Sequence, residues 1–287
     1  MDALEKIEPH GFTGLDWLFK LYPFYKGRGR LALSSLFRGR SPFGRSESSV
    51  RLLTGEAIFV VDDDYIGRML RFFGDLDPAV TSTMRRLVRT GDTVLDIGAN
   101  VGAFSLPAAT IVGQAGSVYA FEPVTRLCSL LQRSVAANEF KNIRVMNVAL
   151  SDFRGEGTMA VAAAALGCSS LTRGVEGETC KVEMLDEVDF GPAFSRPRLI
   201  KIDVEGHEAS VLSGGRGFLE RYRPEFVLFE SHDNRGDFWD REEVRILTKA
   251  GYRFSVIERT PTAKPVIRQV AIAETKFAPF YDFLATS

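Results

Sequence analysis

VLDIGANVGAFS, Val94 to Ser105, is the stretch on which the fold turns. An apolar run carries Asp96 and then gives way to Gly98, Ala99, Asn100 and Gly102, after which a second apolar run opens. A short buried strand, a glycine-bearing turn and a helix make the start of a βαβ unit, whose turn backbone lies close to a ligand at the strand's carboxyl end.

Around this stretch, strands and helices alternate. Thr93 to Ile97 reads as a strand, Ala103 to Val112 as a helix, Ser117 to Phe121 as a strand ending in Glu122, Val124 to Asn138 as a helix, and Ile143 to Leu150 as a third strand. Short, nearly all-apolar strands separated by helices predict a parallel sheet covered on both faces. Gly155 to Glu183 interrupts the order as an insertion of strand and loop. Arg198 to Val204 then reads as a strand, Glu208 to Tyr222 as a helix pair, Glu225 to Glu230 as a strand and Arg241 to Ala250 as a helix. Tyr252 to Ile257 and Val266 to Ala273 read as an antiparallel terminal pair. The fold class is therefore α/β, Rossmann-like, with a mostly parallel sheet. Residues 1–90 are expected to form an N-terminal extension on a core of residues 91–287. In it, a hairpin spans Val50 to Leu53 and Ile58 to Val61, and helices follow over Tyr65 to Phe73 and from Asp77-Pro78, where an N-cap precedes proline at the first helical position.

The totals narrow the classes. A chain of 287 residues with 45% apolar and 25% charged residues and a net charge of -1 is not a disordered tail, a collagen-like fibre or a globally basic nucleic-acid binder. Cys128, Cys168 and Cys180 have no CxxC spacing, so they give neither a disulfide framework nor a zinc site. No apolar run reaches the roughly 18–20 residues of a membrane span, and MDALEKIEPHGF lacks the order of a signal peptide. A cytoplasmic location is expected, with no nucleic-acid partner. From Trp17 to Thr54, however, eight Lys and Arg residues face only Glu47 and interleave with aromatic residues. This arm reads as a solvated surface on the core, or as one that meets an anionic acceptor or the face of a membrane.

A dinucleotide fingerprint places glycines at the first, third and sixth positions of the loop. Counted from Gly98, these are Gly98, Asn100 and Ala103, so the pattern fails at its middle glycine. An acidic residue ahead of the loop repels a pyrophosphate and suits an ammonium. A ligand with an amino-acid end, a ribose and an adenine but no phosphate is S-adenosylmethionine. Asp96 is expected to hold its ammonium, directly or through water, with the Gly98–Gly102 backbone close to its carboxylate and sulfonium. Glu122 is expected on the ribose hydroxyls, and Ser151 and Asp152 near the adenine.

The segments VLDIGANVGAFSL, YAFEPVTRL, VMNVALSD, GCSSL, LIKIDVEGHEASVLSGG and RPEFVLFES occur in the order found in FkbM-family methyltransferases, and the chain resembles that family over roughly Val50 to Tyr252. One departure is Met184, where the family usually carries threonine ahead of Leu185-Asp186. The resemblance implies a class I methyltransferase fold and S-adenosylmethionine-dependent O-methylation, with Glu122 on the ribose and the KIDVEG segment beside the transferred methyl.

An alcohol acceptor needs a base or a cation. Asp203 and His232 lead as bases, with Glu205 orienting them and Glu230 at the neighbouring strand tip; Asp203 also counts among the cofactor-binding groups. His207 reads equally as chemistry or as a capping or exposed residue. A magnesium ion held by Asp203, Glu230 and His232 is the less favoured alternative. The expected acceptor is a hydroxyl on a sugar, glycoconjugate or secondary metabolite, with nitrogen and carbon acceptors left open. Two other classes stay open: a non-catalytic S-adenosylmethionine-binding module and a nicotinamide-dependent oxidoreductase. Against the latter, Glu122 follows Asp96 by 26 positions, where a dinucleotide fold places its acidic partner about 20 residues after the loop.

Overall fold

Thr93–Ile97 forms strand β3, buried along its whole length at the middle of the five parallel strands of an eight-stranded sheet in the computed structural model of the chain. The structure describes residues 46–62, 64–162, 165–172, 177–192, 194–231, 236–259, 265–277 and 281–287. The arm from Trp17 to Arg45 and His232 lie outside them, and so does part of the insertion.

In chain order the elements are β1 (Glu47–Arg51), β2 (Ala57–Val61), α1 (Tyr65–Phe73), α2 (Pro78–Leu87), β3, α3 (Ser105–Val112), β4 (Ser117–Phe121), α4 (Thr125–Ala137), β5 (Ile143–Met146), β6 (Ala149–Leu150), β7 (Gly155–Ala162), β8 (Ala165–Thr172), β9 (Glu178–Glu183), β10 (Pro197–Ile202), α5 (Glu208–Ser213), α6 (Arg216–Tyr222), β11 (Phe226–Ser231), α7 (Glu242–Lys249), β12 (Arg253–Glu258), β13 (Val266–Gln269) and β14 (Tyr281–Thr286). The large sheet runs β13-β12-β14-β11-β10-β3-β4-β5. Its five strands from β11 to β5 are parallel, and β14, β12 and β13 extend it antiparallel. From β3 the chain advances outward through β4 to β5, and it resumes on the other side with β10 and β11. The order therefore reverses between β3 and β10, where an open α/β sheet leaves a crevice for ligands.

Two elements depart from the sequence reading. The expected strand Ile143 to Leu150 is broken, because Asn147 turns its amide to the carbonyls of Glu122 and Pro123, at 2.8 and 2.9 Å. Its second half, β6, joins a four-stranded sheet β6-β9-β7-β8 built from the insertion. The terminal pair gains a third member, β14, which lies between β11 and β12 and is anchored by the fully buried Phe283 and Ala285.

The extension is tied to the core through polar bonds. Ala57 and Phe59 of β2 donate backbone N–H groups to Asn138 Oδ1 and Ser134 Oγ of the α4 region, both at 2.9 Å. Asp77 caps α2 by accepting from the backbone of Ala79 at 2.9 Å and Val80 at 3.2 Å, with Pro78 at the first helical position. Asp77→Ala is expected to cost about 0.5–2 kcal/mol, the usual range for an N-cap, read as a lower urea midpoint at unchanged slope; an unchanged midpoint would deny the cap that role.

Candidate active site

The crevice at the reversal opens into a cavity of about 290 Å³, at the small end of ligand pockets. The glycine loop forms one wall. Gly98 has φ +79°, and a Cβ there would lie 1.9 Å from the carbonyl oxygen of Asp203, so only glycine lets the β3 and β10 tips meet this closely. Asn100 follows in the left-handed region at φ 54°.

Glu122, at the β4 tip, is 4% exposed. One of its carboxylate oxygens accepts the Asn100 N–H at 2.8 Å and the other that of Val124 at 2.9 Å. Each oxygen keeps a second lone pair, and the side chain lines the cavity. Burial raises its pKa to about 7 against the pull of these bonds.

Asp96 is placed differently from the expectation. It is fully buried and does not line the cavity, because it points beneath the loop, where Ser105 Oγ donates to it at 2.5 Å and Lys201 Nζ approaches to 3.4 Å. Burial pushes its pKa upward. Ser151 and Asp152 do not line the cavity either. Ser151 Oγ donates to Asp152 at 3.1 Å and pairs with His207 Nε2 at 2.8 Å, and of these three only His207 reaches the cavity.

Asp203, Glu205 and Glu230 also line the cavity. Asp203 Oδ2 lies 3.2 Å from Lys201 Nζ, and its side chain is 44% exposed. Glu230 has its pKa raised to about 8, first by burial and then by the charges of Asp203, Asp282, Glu205 and Glu208. His232 lies outside the described residues, so its part in the site is not described. Among the described residues, no three His, Cys, Asp or Glu side chains are grouped to hold a metal ion.

The wall also includes residues that no motif singled out. Asp75 and Asp77 come from the extension, Asp282 from β14, and Arg259 from just past β12. The Arg259 guanidinium pairs with Asp77 and, at 2.6 Å, with Asp282. Burial raises Asp75 to about 6 and Asp282 to about 7. Met159 and Leu171 of the insertion contribute an apolar flank.

These features fit S-adenosylmethionine in three respects. A turn that opens on Gly98 brings backbone to the cavity, a buried carboxylate offers free lone pairs at the β4 tip, and apolar side chains such as Ile97, Phe121, Val148 and Leu150 offer faces for a purine. The fold is the Rossmann-like class I methyltransferase fold. Residues 96–254 match the model of the methyltransferase FkbM domain, and the chain belongs to that family of S-adenosylmethionine-dependent methyltransferases. Among solved structures, the chain is similar to the FkbM methyltransferase of Methylobacillus flagellatus, with 16% identity over 74% of this chain and 48% of that one and a TM-score of 0.46. The match thus spans about half the length of the Methylobacillus protein. It is also similar to an S-adenosylmethionine-dependent O-methyltransferase of Thermotoga maritima, with 14% identity over 88% and 81% of the two chains and a TM-score of 0.44. A third similar structure is M. jannaschii TYW2 in complex with AdoMet, with 12% identity over 84% and 85% and a TM-score of 0.43. No curated protein matches the chain in sequence. Among the described residues, no helix is long and apolar enough to cross a membrane.

Proposed function

We propose that the protein transfers a methyl group to a hydroxyl oxygen of a neutral, hydroxyl-rich small molecule or glycan, such as a sugar or a glycosylated metabolite. The observation that carries this reading is that Asp203, Glu230 and Asp282 gather on the wall of one cavity. Carboxylates accept hydrogen bonds from hydroxyls, and they repel an acceptor that brings its own phosphate or carboxylate. Arg259, the described cation beside Asp282, is already engaged by two carboxylates.

When bound, S-adenosylmethionine supplies an electrophilic methyl on a sulfonium. The chain's own residues have the remaining tasks. Gly98 to Gly102 and Glu122 hold the donor side, with Glu122 accepting from ribose hydroxyls. Glu230 takes the acceptor proton, its raised pKa making it a stronger base than an ordinary carboxylate, and Asp203 fixes the acceptor and donor ends relative to each other. The flank from β7 and β8 limits what can enter.

The test is a thermal-shift titration with S-adenosylhomocysteine, the demethylated product, followed by methyl transfer onto panels of neutral and anionic sugars. At about a hundred times Kd the ligand should add roughly 2.7 kcal/mol, or roughly 5–10 °C. Glu122→Ala should need ten- to a hundredfold more ligand for the same shift, the worth of a hydrogen bond to a charged group. No response at millimolar ligand, with none released on denaturation, would end the donor-site reading; methylation of the anionic panel alone would end the acceptor reading.

A further inference from the structure

Lys201 sits where the donor and acceptor sides meet. Its strand, β10, runs directly beside β3, and Lys201 is the register partner of Asp96. Its side chain is 10% exposed and lines the cavity. Nζ lies 3.4 Å from Asp96 Oδ1, 3.2 Å from Asp203 Oδ2, 3.4 Å from the Gly98 carbonyl oxygen and 5.7 Å from the centroid of the Phe104 ring. These contacts are long for charge-assisted bonds, which close to about 2.7–2.9 Å, and the ammonium keeps room to turn toward a further anion.

Burial alone would strip such a lysine of its proton. Here the two carboxylates outweigh it, and the pKa stays above the ordinary lysine value. Asp96, sealed beneath the loop, works as a buried counter-charge. At the foot of the glycine loop the cavity thus shows a cation, Lys201, beside an anion, Asp203. That arrangement complements a ligand end carrying a carboxylate and an ammonium on one carbon. Arg259, the other described cation of the wall, follows β12, which lies four strand positions from β3, and is held by Asp77 and Asp282.

We infer that Lys201 receives the carboxylate of the donor's amino-acid end, that Asp203 receives its ammonium, and that Asp96 acts only through Lys201. The inference rests on the cavity being the S-adenosylmethionine site, and it replaces Asp96 as the group that meets the amino-acid end.

The experiment is calorimetric binding of three probes to the full chain: S-adenosylhomocysteine, its decarboxylated analogue, and 5′-methylthioadenosine, which lacks the amino-acid end. Lys201→Met should weaken S-adenosylhomocysteine by about ten- to a hundredfold and leave the other two within about threefold, as expected for one lost charged bond. Lys201→Arg should recover part of the loss. Asp203→Asn should weaken the first two probes and spare the third. Lys201→Met leaves Asp96 buried without its counter-charge, so the double variant Asp96→Asn/Lys201→Met, which removes both charges together, should reproduce the pattern in a chain that keeps its fold. Equal weakening of all three probes, or of none, would overturn the inference while leaving the donor site in place. Failure of the wild-type chain to bind any probe would overturn the donor site itself.

Discussion

Glu230→Gln should lower methyl transfer by roughly 10²–10⁴-fold, the usual contribution of a positioned general base, while leaving the fold and the binding of S-adenosylhomocysteine nearly unchanged. Glutamine has the shape of the glutamate and no charge. With a pKa raised to about 8, the wild-type carboxyl is ionised in only about a tenth of molecules at pH 7, so the substitution resembles the majority state of the folded protein. The sign of the pH dependence follows from this. The base works only when ionised, so kcat/KM should climb about tenfold per pH unit below about 8 and level off above it. The groups that set this limb are the carboxylates of Asp203, Asp282, Glu205 and Glu208, which raise the Glu230 pKa, and Arg259, which pairs with Asp282. The measurement is the rate against pH for wild type and variant, using the acceptor that the sugar panels identify. A variant that keeps half the rate and the same ascending limb would show that the proton leaves by another route.

Gly98→Ala should be the most damaging single substitution for stability and donor binding together. The left-handed backbone at φ +79° costs alanine about 1–2 kcal/mol. Its methyl would also meet the Asp203 carbonyl oxygen at 1.9 Å and the carbonyl carbon at 3.0 Å. These are backbone atoms that cannot swing aside, and overpacking of this kind costs a further 1–3 kcal/mol or so. A total near 3 kcal/mol should lower the melting temperature by about 6–12 °C in a chain of this size. Relief comes only by prising β10 from β3, where Asp203 N–H reaches the Ile97 carbonyl at 3.1 Å. That movement displaces Lys201 and Asp203, so donor affinity should fall as well. A melting temperature within 2 °C of wild type, by differential scanning calorimetry, would mean that the two strand tips sit farther apart than described.

The elements around the proposed donor site were legible because their signals are local. β3, β4 and α1 have the bounds read from the sequence, since each is an apolar or amphipathic run closed by Gly, Pro or a capping Asp. The loop and Glu122 follow from two strand ends and the interval between them. Asp96 shows the limit of that logic. Its place ahead of the loop reads as ligand-facing, whereas its direction is set by Lys201, more than a hundred residues away and met only through strand pairing. The break at Asn147 was hidden for another reason: a side-chain amide competing for two carbonyls leaves no trace in hydrophobic periodicity. Most of the acceptor wall was illegible. Asp75, Arg259 and Asp282 belong to no motif, Asp77 was legible only as a helix cap, and topology alone gathers them, above all the insertion of β14 between β11 and β12.

That insertion divides responsibility within one sheet. The glycine loop belongs to β3, while Asp282 and Arg259 belong to the antiparallel margin, with β14 itself three strand positions from β3. On the proposed function, a mutation in the margin should alter which acceptor the cavity welcomes without passing through the strand that carries the loop. On that proposal the choice of acceptor and the hold on the methyl donor rest on different strands of one sheet, and the antiparallel margin is the place to change the first without disturbing the second.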